Sequence, residues 1–481
     1  MIMFRKVFLS CTFFFLLIFS AHAQSSDTSA INYTLQQCIQ LALKNNPTVQ
    51  HSQVASETQR ANLTGARGNM LPTLNGTIDH GISQGRGIDP FTNTYANQNI
   101  NFANYNLNTN VTLFNEFAIQ NSIKQNKLAY DATKMEVQQN KDDIALQVIL
   151  EYLQVLTNQD LVEVSTQQRD VSAKQVERLN ILNDEGAIPP SQLYDLKGQY
   201  AQEELNVVNA INSLESAKVL LAQLLNIPYN KNIMLERIGL SEAVANNSST
   251  DSIYQAALKN LALIKASELR KRSAIYGVKT YRSLRFPSLY LSGALGTNYS
   301  SNATTQQFIN STDVTTDNYV VVNGTQVPVI AKQDNYASNK ISYGSQFKNN
   351  YNTSLSIGIS IPLLNRLQNR TQIKTAELIE KDAEITLNAT KTQLQQNIEQ
   401  AYVNLTSAQR RYDVLTDQLN AFKESFREAE VKFNAGSITS VDYLIAKNNL
   451  DNANINLIIA RYDYVLRSTI LDYYSGKITF L

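Results

Sequence analysis

Few side chains in this sequence are of kinds that do chemistry, and their spacing does not suit it. The three histidines, His22, His51 and His80, fall in an apolar leader, a helical stretch and a strand-like stretch. None has a cysteine pair or a carboxylate at metal-ligand spacing beside it. Of the two cysteines, Cys11 sits in the leader, so Cys38 has no intramolecular partner and a disulfide framework is excluded. Gly85-Arg86-Gly87 lacks the downstream pattern of a phosphate loop and is expected in a loop between strands. The expectation is a protein that is not an enzyme, with no catalytic residue, no cofactor and no metal. Lys plus Arg is 42 and Asp plus Glu is 41, with no basic block, which argues against nucleic acid.

The remaining candidates are residues that shape backbone. Gly186 and Gly436 follow long helical stretches, where a residue of positive φ commonly ends a helix. Pro189-Pro190 and Ser437, Thr439 or Ser440 then restart the chain as helix. With 17 Gly, 9 Pro and no Trp in 481 residues, very long regular elements have room to form. Charged residues are 17%, below the roughly 25% usual in soluble domains.

Arg5 and Lys6, the apolar run Val7 to Phe19, and Ala21-His22-Ala23 before Gln24 have the order of a secretory signal peptide cleaved after Ala23. Gln24, not cysteine, follows that point, so no acylated N-terminus is expected. No other segment reaches 18 consecutive apolar residues. That leaves the periplasm, the exterior or a β-barrel in an outer membrane.

An internal repeat separates these. Ala42-Leu43-Lys44-Asn45 recurs as Ala257-Leu258-Lys259-Asn260, and Leu71-Pro72-Thr73-Leu74 as Phe286-Pro287-Ser288-Leu289, both 215 residues on. Further along the offset is 250, as from Leu113-Phe114-Asn115 to Leu363-Leu364-Asn365 and from Gly186 to Gly436. The expected organisation is a leader (1–23), a first repeat (24–240), a second repeat (241–475) and a short tail (476–481). Each repeat opens with a helical stretch, roughly 34–70 and 251–285. Alternating strands near 73–83 and 105–114, or 289–299 and 351–362, come next, then long helices over 116–184 and 190–226, or 366–434 and 438–474.

Tyr105, Leu107, Val111 and Leu113 alternate with Asn106, Asn108, Asn110 and Thr112, and Leu355, Ile357, Ile359 and Ile361 with Ser354, Ser356, Gly358 and Ser360. Period two with one apolar and one uncharged polar face, over about ten residues, fits a bilayer-crossing strand beside a wet lumen. Four strands cannot close a membrane barrel, since the smallest need about eight, so several chains must contribute, and three copies would give twelve. From Leu405 the series Ala408, Tyr412, Leu415, Leu419, Phe422, Phe426, Ala429, Phe433 is a coiled-coil seam. Ile438, Val441, Ile445, Asn448, Asn452, Ile455, Ile459, Tyr462 and Leu466 continue it. A helix over 116–182 would run roughly 100 Å at about 1.5 Å per residue. The alternative of another class is a secreted coiled-coil interaction protein without a pore.

Tyr33-Thr34-Leu35, Ala42-Leu43-Lys44-Asn45-Asn46-Pro47, the Leu-Pro-Thr-Leu strand start and Phe433-Asn434-Ala435-Gly436-Ser437-Ile438-Thr439-Ser440-Val441-Asp442-Tyr443-Leu444 resemble the TolC family of outer-membrane efflux proteins over about 33–475. The resemblance implies an α+β membrane protein: a homotrimer whose four strands per chain share one transmembrane β-barrel, with a long α-helical coiled-coil barrel in the periplasm and a mixed belt at 227–250 and the chain ends. It implies partnership with outer-membrane lipid, a periplasmic adaptor and an inner-membrane transporter. Small-molecule export by a tripartite pump is then expected, with type I protein secretion as the alternative. It also makes Gly186, Pro189, Pro190, Gly436, Ser437 and Thr439 the periplasmic tip where the adaptor docks. Asp442 matches a gating aspartate of the family, whereas Ile445 and Ile438 stand where the family has a second aspartate and an arginine. Asp195 and Gln192 are the repeat equivalents of Ile445 and Asp442, so each half could supply one acid. The competing view is that Asp195 and Asp442 merely favour the positive end of a helix dipole.

Overall fold

A computed structural model describes residues 31–88, 93–97, 99–238 and 249–477. The expected leader, residues 239–248 of the belt segment and tail residues 478–481 lie outside the described residues. In the first half the helices are α1 (Leu35–Asn45), α2 (Pro47–Gly68), α3 (Ala118–Asp184) and α4 (Pro190–Leu225). The second half has α5 (Thr250–Asn260), α6 (Ala262–Ser283), the short α7 (Tyr343–Asn349), α8 (Gln368–Asn434) and α9 (Ser440–Ser475). Apart from α7 the two sets match in length pair by pair, at 11, 22, 67 and 36 residues. Their starts keep the 215- and 250-residue offsets legible in the sequence.

Backbone corners repeat as well. Glu116, Phe117, Gly186 and Asn226 have positive φ, and so do Arg366, Leu367, Gly436 and Gly476, each 250 residues further on. Non-glycine residues persist in the left-handed region only where the surroundings over-determine them. Two such residues in a row make the strand-to-helix corner in both halves, which is why α3 and α8 start two residues later than their apolar pattern. The helical stretches expected at 34–70 and 251–285 are each broken once, at Asn46 and Leu261, where ψ is 126° and 135°. Pro47 accounts for Asn46. Leu261 precedes an alanine and is buried, so packing sets the break there.

The chain divides into two units that share the long helices. One comprises residues 1–52, 138–261 and 394–481 and the other 53–137 and 262–393. In the first, strand β1 (Ile31–Tyr33) pairs in parallel with β6 (Ile233–Leu235). Around them Cys38, Tyr152, Leu156, Leu221 and Leu225 are buried in one core. The Tyr152 hydroxyl donates to Tyr33 O (3.1 Å) and Glu236 O (2.7 Å), tying the pair to α3. Burial pushes the Cys38 thiol up to about 12, so it stays an inert core residue.

The seam on α8 packs as expected, from buried Leu405 and Ala408 to buried Phe433. On α9 the period holds, but the face is corrected. Tyr462 is buried, yet Val441 and Ile445 are 57% and 56% exposed and Ile459 is exposed, while Tyr443, Lys447, Ala453 and Ala460 turn inward. Heptad spacing fits more than one face of a helix, and within one chain the tyrosine and alanine face packs more closely.

The second unit carries an antiparallel sheet in the order β10-β7-β5-β2, built from β2 (Thr73–Ser83), β5 (Ile100–Phe114), β7 (Ser288–Ser300) and β10 (Asn352–Ser360). Its register aligns Ile78 with Tyr105, Leu107 with Leu295, Val111 with Leu291, and Leu291 with Ile357. One face is therefore apolar. The other carries Asn75, Thr77, Asn106, Asn108, Asn110, Ser292, Ser354 and Ser356. Two expectations change beyond the sheet. Gly85-Arg86-Gly87 is not a loop, since β3 (Arg86–Ile88) pairs with β4 (Tyr95–Asn97). The small hairpin turn that Val320-Val321-Val322-Asn323-Gly324 suggests in the sequence is the end of a long ribbon of β8 (Thr304–Val322) and β9 (Thr325–Lys340), because the Asn323-Gly324 turn adopts left-handed backbone at both residues.

Candidate functional site

The two turns expected to matter are built alike on one side and differently on the other. After α3, Ala187 N donates to Leu182 O (2.8 Å) and Gly186 N to Asn183 O (2.9 Å). After α8, Ser437 N donates to Lys432 O (2.9 Å) and Gly436 N to Phe433 O (3.0 Å). This is the helix-ending pattern in which a left-handed residue lets the last carbonyls find donors, and glycine takes φ of 69° and 72° without strain. The restarts differ. Pro189 precedes α4 without a side-chain cap and Pro190 opens it. Thr439 caps α9 in a capping box, its Oγ1 accepting from Asp442 N (3.2 Å) while Asp442 Oδ2 accepts from Thr439 N (3.2 Å).

The gate candidates are thus placed at helix starts. Asp442 Oδ2 also accepts from Thr439 Oγ1 (2.7 Å), and Asp195 Oδ2 accepts from Ser440 Oγ (2.8 Å) across 245 residues. Asp195 therefore links α4 to the start of α9. Gln192 is half-buried one turn into α4, its N–H donating to Pro189 O (3.1 Å). Beneath the turns Leu179, Leu193, Leu196, Phe433 and Tyr443 form a core, with the Phe433 and Tyr443 rings stacked 4.6 Å apart.

Two turns into α9 lies a cluster that the sequence did not announce. Lys447, its side chain 2% exposed, binds Glu203 Oε1 (2.6 Å) and Asp451 Oδ2 (2.7 Å), and Glu203 is itself 3% exposed. Gln199 Nε2 donates to Glu203 Oε1 (2.8 Å) and to Asn448 Oδ1 (3.0 Å), which joins α4 to α9 a second time. Glu203 Oε2 is buried without a hydrogen bond. Burial is the main influence on Asp451, holding its carboxyl above the usual range against the pull of Lys447. Of this group only Asn448 was readable beforehand, as a polar residue at heptad spacing.

Among the described residues no group of three or more His, Cys, Asp or Glu is placed to hold a metal ion, and no helix is long and apolar enough to cross a membrane. The family model for outer membrane efflux proteins matches residues 38–226 and 253–477. The chain belongs to that family. It is 23% identical over 406 residues to the outer membrane protein TolC of Vibrio cholerae, covering 84% of this chain and 82% of that one. In fold it is similar to CusC, with a TM-score of 0.74 and 14% identity over 92% of each chain. It is likewise similar to the outer membrane protein VceC of Vibrio cholerae, with a TM-score of 0.72 and 16% identity over 92% of this chain and 96% of that one. This efflux protein is accordingly an outer-membrane channel with a periplasmic helical domain, and it is not an enzyme.

Proposed function

We propose that three copies of this chain form one channel-tunnel, the exit duct through which a tripartite pump sends small toxic molecules out of the cell. The observation that carries this is the four-stranded sheet. One face is apolar, the other is lined by Asn, Ser and Thr, and among the described residues β2 and β10 each have an edge unpaired within the chain. Pairing β10 of one copy with β2 of the next removes every edge and gives twelve strands, with the polar face around the lumen. The exposed Val441, Ile445 and Ile459 supply an apolar face for neighbouring copies. No nucleotide site was found in the sequence, so the energy comes from an inner-membrane transporter. The turns at Gly186, Pro189, Pro190, Gly436, Ser437 and Thr439 are the docking points of its periplasmic adaptor.

At those turns three copies each of Asp442 and Asp195 would stand around one axis, where mutual repulsion favours cation binding. In planar bilayers the purified protein is expected to give cation-selective pores blocked by divalent ions. The double variant Asp195→Ala/Asp442→Ala should remain trimeric while losing both properties. A protein that forms no pores would overturn the channel. Pores that keep their selectivity in the double variant would reduce the two acids to the capping and linking roles described above.

The β8–β9 ribbon joins two sheet strands at the ends away from α6 and α8, which supports a position outside the cell. Protease added to intact cells should cut first between residues 304 and 340. Cutting there only after the outer membrane is permeabilised would reverse this orientation.

A further inference from the structure

The short helix α7 has no counterpart among the described residues of the first half of the chain, and it does not lie in the ribbon that precedes it. It folds back onto the sheet. Phe347 packs edge-on against Tyr105 with ring centres 5.4 Å apart, and Tyr343 lies against Tyr299 at 4.4 Å. The Tyr105 and Tyr343 hydroxyls are hydrogen-bonded, and Thr297 Oγ1 donates to Phe347 O (2.8 Å). By the strand register Tyr105, Thr297 and Tyr299 all stand on the apolar face, on the two central strands β5 and β7. The helix is held firmly. Gln346 is 1% exposed, its Oε1 accepting from Ser300 N (2.9 Å) and its Nε2 donating to Ser300 O and Ile341 O (both 2.9 Å). Asn350 Nδ2 donates to Asn298 O (2.8 Å) just beyond its end.

What α7 leaves outward is Tyr343, Phe347 and, one residue past its C-cap, Tyr351, all exposed. From Ile341 to Asn365 the only charged side chain is Lys348, and Lys340 precedes it. A cluster of aromatic side chains with cationic flanks is the composition of a membrane–water boundary next to anionic headgroups. Its height fits too. Thr297 is eight residues along β7 from Leu289, about 27 Å of strand and about 20 Å of height at barrel tilt, near the upper edge of an apolar band about 25 Å tall. A second copy docking through β2 or β10 would meet the sheet at its edges, leaving these central strands to lipid.

We propose that α7 is an interfacial anchor, a short helix on the outside of the barrel that seats Tyr343, Phe347 and Tyr351 among the headgroups of the outer leaflet. This rests on the barrel reading above. The sequence contains no tryptophan, so one introduced indole reports its own surroundings. Phe347→Trp, Tyr343→Trp and, as a reference in the middle of the apolar band, Ile357→Trp are to be reconstituted as trimers in vesicles of phosphatidylethanolamine and phosphatidylglycerol. These vesicles carry nitroxide labels either at the headgroup or at mid-chain. The two α7 probes are expected to be quenched more by the headgroup label and Ile357→Trp more by the mid-chain label. Adding Gln346→Leu to Phe347→Trp should release the helix and abolish lipid quenching. Water-like emission from both α7 probes, quenched by aqueous iodide and by neither lipid label, would overturn the anchor, and so would stronger quenching at mid-chain. If Ile357→Trp also escapes both labels, the barrel reading itself has failed.

Discussion

Replacing Ile357 by arginine is expected to keep the protein out of the outer membrane, whereas the same change at the adjacent Ser356 is not. The two residues are neighbours on β10 but stand on opposite faces of the sheet. Ile357 aligns with Leu291 on the apolar face, and Ser356 bonds Ser292 Oγ (2.8 Å) on the polar one. An arginine facing lipid near the bilayer midplane costs about 2–4 kcal/mol, and the proposed trimer would bear that cost three times, about 6–12 kcal/mol. In the proposed barrel an arginine at 356 would meet water in the lumen and add three positive charges there. Ile357→Arg should therefore be missing from the outer-membrane fraction of a density gradient, while Ser356→Arg inserts and shifts conductance toward anions. Equal insertion of both variants would show that the sheet does not face lipid with the side assigned here.

The second large effect is expected at Lys447. Replacing it with methionine keeps the length of the side chain but leaves the buried Glu203 and the half-buried Asp451 without their cation. Breaking a buried pair in this way costs about 3–5 kcal/mol, because the buried Glu203 charge left behind has neither water nor a countercharge. The Glu203 oxygen that already lacks a hydrogen bond makes relief from within the cluster harder. The loss also depends on pH. Burial holds the Asp451 carboxyl above its ordinary range, and losing Lys447 raises it further. The folded variant then binds a proton that the unfolded chain releases, so its stability falls as pH rises from the ordinary carboxylate range to the raised one. Thermal unfolding of the variant should improve on acidification through that window and be worst at neutral pH. Melting that matches the parent protein at every pH would mean that the cluster is open to water.

Much of the architecture was legible because it is written twice. Gly186 and Gly436 mark turns in any helical chain, and finding both at one offset turned weak local signals into a statement about the whole fold. Thr439 and Asp442 have the spacing of a capping box and behave as one. The bond between Asp195 and Ser440 was invisible because it joins residues 245 apart in sequence. Lys447 was missed for a physical reason: lysine is normally a solvated residue, and only a partner on another helix makes its burial tolerable. The inward face of α9 was missed because Tyr443, Ala453 and Ala460 look less apolar than the Val441 and Ile445 face left uncovered. Nothing about α7 recurs among the described residues, so the repeat gave no help there, and its position rests on a glutamine bonded to Ser300 and Ile341.

The equal lengths of paired helices bear on how such a chain can change over generations. A residue inserted into α3 alone would turn everything beyond it by about 100° relative to the helices it packs against, and matching α8 would require an independent event of the same size. Lengthening in the helices is thus available only in coordinated steps. The β8–β9 ribbon is far longer than its counterpart, the β3–β4 pair between β2 and β5, so these two elements do not have to match, and growth of the ribbon disturbs no seam. Lineages carrying this architecture should therefore differ freely in the length and sequence of this ribbon while keeping the helix pairs at fixed length, leaving the ribbon as the place where novelty accumulates.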